Sequence, residues 1–169
     1  MIKTFFSIIF TFFCFLIFET AILSNLMILP AVPDILLLVT LYIALHNGSM
    51  WGQTTGFCSG LMLDFVTAGP FGLNCLLRTL IGFIIGLFNN TVNTSGIWLP
   101  AFLAFCTTIL KYLLLIIISF FFPNELIKFN IFSIQGIFEI LSNTVLAPII
   151  FAFLSLFSSY LIYDNKNLT

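Results

Sequence analysis

The segment GFCSGLMLDFVTAGPFG, residues 56–72, places one aspartate, Asp64, after a run of apolar and small residues and just before a short turn. The glycines of this segment continue a spacing of every fourth residue that begins at Gly52, and Gly82 and Gly86 repeat that spacing after the turn. Such faces of small residues let two membrane helices approach closely. The segment predicts a hairpin of two helices whose glycine faces either pack against each other or receive a second protein.

The composition is that of an integral membrane protein. Of 169 residues, 61% are hydrophobic and 7% are charged, whereas about a quarter of the residues in a soluble domain are charged. Hydrophobic segments recur along the whole length and leave no stretch for a separate water-soluble domain. Residues 1–169 are therefore predicted to form a single all-α membrane domain.

Interruptions of the hydrophobic pattern predict about six transmembrane helices in a compact bundle, roughly 5–29, 34–46, 51–66, 71–88, 97–122 and 131–163. Prolines end the first helix in the stretch LPAVPD. The second is only about half as long as the hydrocarbon core is thick, so we expect it to tilt into protein or to extend into its flanks. Pro148 is expected to kink the sixth helix.

An even number of helices leaves both termini on one side of the membrane. Lys3 and Lys166 lie near the two ends of the chain, and Lys128 lies in the loop before the sixth segment. The excess of positive charge on cytoplasmic segments then favours cytoplasmic termini, by two lysines to one.

Charged residues inside the predicted spans are expected to pair. Each costs roughly 2.5–3.5 kcal/mol at the centre of a membrane helix, so such residues usually face the bundle interior. They are Glu19, Asp64, Arg78, Lys111 and Glu139. The hairpin spacing suggests an ion pair between Asp64 and Arg78, and Lys111 could neutralise Glu139. A proton or ion pathway is the functional alternative.

A polar stripe lies along the sixth segment. Gln135, Glu139, Ser142 and Asn143 follow one another at helical spacing, which places them on one face. We predict a buried polar face formed by Gln135, Glu139 and Asn143. The stripe could alternatively line a cavity or lie against an aqueous surface.

Signatures of catalysis and of cofactor binding are missing from the sequence. It contains no G-x-S-x-G, no H-E-x-x-H and no phosphate-binding loop. Its single histidine has no companions for a metal site, and there is no basic patch for nucleic acid. These observations predict a non-enzymatic protein without cofactor, metal or nucleic-acid partner.

Two stretches, VPDILLLVTLYIALHNG (32–48) and GFCSGLMLDFVTAGPFGLNCLLRTLIGFIIG (56–86), resemble the MreD family of the bacterial rod-shape system. The family pattern is a Pro-Asp before a leucine-rich helix, a G-F-x-x-G-L-x-x-D helix, a turn with P-x-G, and a further helix entered by Asn or His. The matching residues are Pro33, Asp34, Gly56, Phe57, Gly60, Leu61, Asp64, Pro70, Gly72 and Asn74.

The resemblance implies a function by contact in the bacterial inner membrane. MreD proteins are associated with MreC, with the cytoskeletal MreB, and with RodA and a penicillin-binding protein in lateral wall synthesis. The chain is therefore expected to be a membrane scaffold that binds MreC and helps to position peptidoglycan synthesis, with Asp64 and its turn as architecture. The family fold is similar to the substrate-binding subunits of energy-coupling-factor transporters, so a solute-binding membrane subunit is the alternative.

Overall fold

The computed structural model describes residues 2–23, 30–67, 70–89, 91, 96–121 and 133–162. These residues form seven α-helices and one π-helical turn, and no strand occurs among them. The helices are α1 (Ile2–Phe18), α2 (Ile35–Asn47), α3 (Ser49–Val66), α4 (Leu73–Gly86), α5 (Trp98–Phe121), α6 (Ile134–Leu156) and α7 (Ser158–Leu161), and the π turn is Glu19–Leu23. The all-helical prediction is confirmed for the described part of the chain.

Three of the described helical segments are long and apolar enough to cross a membrane. They are Lys3–Ala21, Trp98–Phe120 and Ile134–Leu156, which lie in the first, fifth and sixth predicted segments. Helices α2 and α4 are apolar but shorter. The architecture is therefore that of a helical membrane bundle in which long outer helices accompany short ones.

Helix α2 is the centre of the bundle. Every residue from Ile35 to Leu45 is buried, and α2 contacts α1, α3, α4, α5 and α6. A helix that is hydrophobic on all sides is stable only when it is surrounded. Because protein surrounds α2, it need not match the bilayer thickness, and this explains why it is so short.

Helices α3 and α4 form the predicted hairpin, and the glycine faces are what join them. A Cβ atom on Gly52, Gly56 or Gly60 of α3 would come closer than 3.0 Å to backbone atoms of α4, and the same holds in reverse for Gly82 and Gly86. The helices run antiparallel, because the faced residue numbers fall along α4 as they rise along α3. The glycine faces are used for packing inside the chain, so they are not open to a second protein.

The first and the last of the six predicted helices differ in detail from the structure. The first helix changes at Glu19 into the π turn that ends at Leu23, and the rest of the predicted segment 5–29 lies outside the described residues. The predicted segment 131–163 is divided, because α6 ends at Leu156 and the short α7 follows. Pro148 lies inside α6, which continues beyond it; membrane helices tolerate a proline whose freed backbone carbonyl finds another partner.

Candidate functional site: a buried charged cluster

The first turn of α2 is capped by two carboxylates from different parts of the chain. Asp34 is its N-cap residue, and Asp34 Oδ1 accepts a hydrogen bond of 3.0 Å from the amide of Leu37. Glu19, in the π turn, accepts a bond of 3.0 Å at Oε2 from the amide of Leu36. A helix N-terminus offers unpaired N–H groups and a partial positive charge, both of which favour carboxylates. The N-terminus of α2 therefore accounts for the position of both acidic residues beside a buried helix.

Asp34 is also the centre of a chain of ion pairs. Its Oδ1 accepts from Arg78 Nη2 of α4, and its Oδ2 accepts from Lys111 Nζ of α5 at 2.7 Å. Lys111 Nζ also lies 2.7 Å from Glu139 Oε1 of α6. Tyr112 donates its hydroxyl to the other oxygen, Glu139 Oε2, at 2.7 Å. The structure thus pairs Lys111 with Glu139, as the sequence suggested, and adds Asp34 and Tyr112.

Asn143 extends the same cluster through neutral hydrogen bonds. Its Oδ1 accepts from the backbone amide of Asp34 at 2.9 Å, and its Nδ2 donates to Thr108 Oγ1 at 3.2 Å. The side chain is fully buried, where an amide without partners would be costly. Asn143 therefore fixes α6 against both α2 and α5.

The cluster holds together elements that are distant in the sequence. The π turn, α2, α4, α5 and α6 each contribute at least one ionised or strongly polar side chain. Arg78 and Asp34 have side chains only 3% and 7% exposed, so removing one partner would leave a buried charge, at a cost of about 3–5 kcal/mol. One polar atom of the described residues, Arg78 Nη1, is buried without a partner.

Asp64 does not pair with Arg78, and this corrects the predicted ion pair. Its Oδ2 accepts from the amides of Gly72 and Cys75 at 3.0 and 3.1 Å. Its Oδ1 accepts from the backbone amide and the side-chain Nδ2 of Asn74, at 3.1 and 2.9 Å. Asp64 therefore caps the N-terminus of α4 from the neighbouring helix, in place of Gly72, whose position at the N-cap supplies no side chain.

Asp64 and Arg78 do not pair because each has other partners that satisfy its charge. Four N–H groups converge on Asp64 at a helix N-terminus, which satisfies a carboxylate without any cation. Arg78 lies about one to two helical turns beyond these donors along α4, where Asp34 offers an ionised partner. Asp34 was not among the buried charges inferred from the sequence, because it stands at the edge of an apolar segment. Its signal was the Pro-Asp before a leucine-rich run, which is typical of an N-cap.

The predicted buried face of α6 is only partly correct. Asn143 is buried and Glu139 is half-buried, but Gln135 is exposed near the start of the helix. Residues four apart on an α-helix are rotated by about 40°, so a stripe of this spacing turns away from the interior over two steps. Gln135 therefore does not belong to the buried face.

The remaining residues of the family pattern shape the hairpin and its turn. Gly72 adopts a left-handed conformation, with φ of 91°, which favours glycine. The carbonyl of Pro70 accepts from the amide of Leu73 at 3.2 Å. Pro33 is buried beside Asp34, whereas Phe57 is exposed on the outer side of α3. With Gly56 and Gly60 in the α3–α4 contact, most of the pattern has an architectural role.

The arrangement of the cluster indicates a structural role. Among the described residues, no group of three histidine, cysteine, aspartate or glutamate side chains could hold a metal ion. The carboxylates already accept hydrogen bonds from amides, cations or a tyrosine hydroxyl. As arranged, the cluster fixes five elements against one another.

Comparison with known proteins identifies the family of the chain. A family model described as rod shape-determining protein MreD matches residues 1–157. No curated protein matches the chain, and no solved structure matches it. Because the family match covers most of the 169 residues, the chain belongs to the MreD family of rod shape-determining membrane proteins.

Proposed function

We propose that this chain is a non-enzymatic scaffold of the bacterial cell-shape complex, which binds MreC and helps to position lateral peptidoglycan synthesis. The observation that carries the proposal is the family match over residues 1–157. MreB, RodA and a penicillin-binding protein are further partners proposed on the same ground. The chain acts in this proposal by holding partners in place in the bacterial inner membrane.

The use of the charged residues supports a scaffold. Arg78, Lys111, Asp34 and Glu139 form one continuous set of ion pairs that fixes α2, α4, α5 and α6. Asp64 is committed to the α3–α4 turn. A bundle fixed in this way presents rigid outer faces, and rigid faces lower the entropic cost of binding a partner.

The surface for MreC must lie outside the α3–α4 contact, because the glycines there are already covered by backbone. Large apolar side chains are exposed on α1, α5 and α6, for example Phe10, Phe102 and Leu141. In a membrane these faces meet either lipid or the transmembrane segment of a partner. We propose that MreC binds one of them.

We also propose that both termini are cytoplasmic. Helix α7, the last described helix, contacts α1, the first, which supports placement of the two ends on one side. The lysine distribution favours the cytoplasm for that side.

The alternative is a solute-binding subunit of the energy-coupling-factor type. One observation favours it: a cavity of about 280 Å³ lies beside Lys111, Tyr112 and Glu139. That function requires a soluble ligand, so a vitamin-sized compound should raise the melting temperature of the purified chain.

The test of the scaffold proposal is site-specific photo-crosslinking in the native membrane. A photoreactive amino acid replaces Phe10, Phe102 or Leu141 one at a time, and crosslinked products are purified through a tag and identified by mass spectrometry. We expect MreC to be crosslinked from one of these three helices and not from all of them. Phe57, exposed on α3, is a fourth position with the same kind of aromatic side chain and maps the remaining face.

The control is a gentle-detergent purification of the unmodified tagged chain, in which MreC should co-purify with it. Absence of MreC from both experiments, while the chain itself is recovered folded, would refute direct binding. Recovery of a transport ATPase pair with its coupling subunit would support the solute-binding alternative instead.

A further inference from the structure

The cavity beside the charged cluster has one polar wall and one apolar wall. It lies between the α3–α4 turn and helices α5 and α6, and several leucines line it. Its polar wall consists of Lys111, Tyr112, Glu139, Asn74 and Thr67. The side chains of Lys111 and Glu139 are 18% and 13% exposed, more than those of Arg78 and Asp34 behind them. The cluster therefore reaches the cavity through α5 and α6.

The hydrogen-bonding capacity of this wall is incompletely used. A lysine ammonium has three N–H donors, and Lys111 gives two of them to Asp34 and Glu139, with no third acceptor among the described residues. Asn74 donates its amide to Asp64, while its Oδ1 accepts from no described residue. The hydroxyl of Tyr112 donates to Glu139, and its oxygen can still accept. The carboxylate oxygens of Glu139 and the hydroxyl oxygen of Thr67 can each accept a further bond. The wall therefore offers one donor and several acceptors.

The charges of the wall favour a neutral ligand. Arg78 and Lys111 balance Asp34 and Glu139, so the four ion-paired groups are neutral together. An anion would meet the Glu139 carboxylate and two acceptor oxygens. A cation would meet the ammonium of Lys111, which lines the same cavity. A neutral hydroxyl group both donates and accepts, and this matches the wall.

The apolar wall indicates that the hydroxyl group belongs to a ligand with an apolar part. Leu63, Leu73, Leu77 and Leu115 line the same cavity, and the outer faces of α5 and α6 beside it expose large apolar side chains. A ligand with a polar head and an apolar tail satisfies both surfaces, whereas a free polyol satisfies only one. The volume of about 280 Å³ is small for a whole ligand site and suits a compact group.

We propose that this cavity binds the neutral, hydroxyl-bearing headgroup of a membrane lipid, a glycerol or a single sugar. Lys111 donates to a headgroup hydroxyl, and Asn74 and Tyr112 accept from hydroxyls. The leucines contact the start of the tail. The proposal does not depend on MreC binding, since the cavity is formed by this chain alone.

The test is native mass spectrometry of the delipidated full chain with three probes. These are monoglucosyl-diacylglycerol, phosphatidylcholine with the same acyl chains, and methyl glucoside, which is a sugar without a tail. We expect the glucolipid adduct to be at least ten times as abundant as either of the others. Equal adducts with phosphatidylcholine would overturn the headgroup assignment, and equal binding of methyl glucoside would overturn the role of the tail.

A matched pair of variants locates the site. Thr67 is exposed and lines the cavity, whereas Thr54 is exposed near the other end of α3. Both hydroxyls donate to the carbonyl four residues earlier. Thr67→Trp should fill the cavity and remove the glucolipid adduct, while Thr54→Trp should retain it. If a folded Thr67→Trp chain retained the adduct, the site would be wrong; if that variant failed to fold, the comparison of the three probes on the unmodified chain would still decide.

Discussion

Single charged side chains were recognised from the sequence, but of their pairings only that of Lys111 with Glu139 was anticipated. Hydropathy alone marks Glu19, Arg78, Lys111 and Glu139 as buried charges that need pairing, and the structure buries or half-buries each of them. Which charge meets which depends on helix rotation and depth, and these are set by packing over the whole bundle. Asp34 shows the limit, because a residue that reads as the edge of a helix proves to accept from two cations.

The reassigned pairing of Arg78 gives a sharp prediction. In double-mutant cycles, Asp34→Asn and Arg78→Gln should show a coupling free energy of about 0.5–3 kcal/mol, because the two side chains form a buried ion pair. Asp64→Asn and Arg78→Gln should be additive within about 0.5 kcal/mol, since these residues share no partner in the described structure. The measurement is reversible unfolding of the chain in detergent micelles.

Asp64→Asn is the matched control in these cycles. It is the same Asp→Asn substitution as Asp34→Asn and removes the charge of the same kind of carboxylate in the same protein. Coupling between Asp64 and Arg78 comparable to that of Asp34 and Arg78 would contradict the pairing described above. Each single variant should be less stable than the unmodified chain, since each removes a buried charge from its partners.

Among the helices, the hairpin could be predicted more fully than the central helix. The glycine spacing of residues 56–72 and the turn after Asp64 are local signals, and α3 and α4 meet through those glycines. The length of α2 identified it as too short to span the bilayer alone, but its position could not be derived from local sequence. It is buried because five other helices surround it, and this arrangement arises only from the assembled bundle.

The Gly56→Ala variant tests the contact between α3 and α4, because this contact and helix propensity predict opposite changes in stability. In the middle of a helix, alanine is normally more favourable than glycine by about 1 kcal/mol. A Cβ at position 56, however, would lie closer than 3.0 Å to the backbone of Arg78, so α3 and α4 would have to separate. We expect the melting temperature in detergent to fall, although helix propensity alone predicts a rise.

The matched control is Thr54→Ala, which introduces the same residue on the exposed side of the same helix. Its free energy of unfolding should change by no more than about 0.5 kcal/mol. A Gly56→Ala chain as stable as the unmodified one would show that the backbones of α3 and α4 are not in contact at Gly56.

For the whole chain, composition was enough to predict a helical membrane bundle, because a sequence with 61% hydrophobic and 7% charged residues is unlike that of a soluble domain. Hydropathy also located the segments, although three of the described helices alone meet the length and apolarity expected of a span. Helix α2 is short and is covered by protein, and hydropathy does not report what covers a segment. The orientation in the membrane depends on only three lysines outside the spans.

Orientation is therefore the prediction to test on the intact molecule. In a chain whose four cysteines are replaced by alanine, single cysteines are introduced by Asn124→Cys, in the loop before the sixth predicted segment, and by Thr169→Cys, at the C-terminus. With cytoplasmic termini, a membrane-impermeant maleimide applied to spheroplasts should label position 124 and should label position 169 only after lysis. Labelling of both positions after lysis is the control for reactivity. The reverse pattern would invert the bundle. Labelling of both positions in intact spheroplasts would mean that an even number of spans lies between the loop and the C-terminus, instead of the single span predicted there.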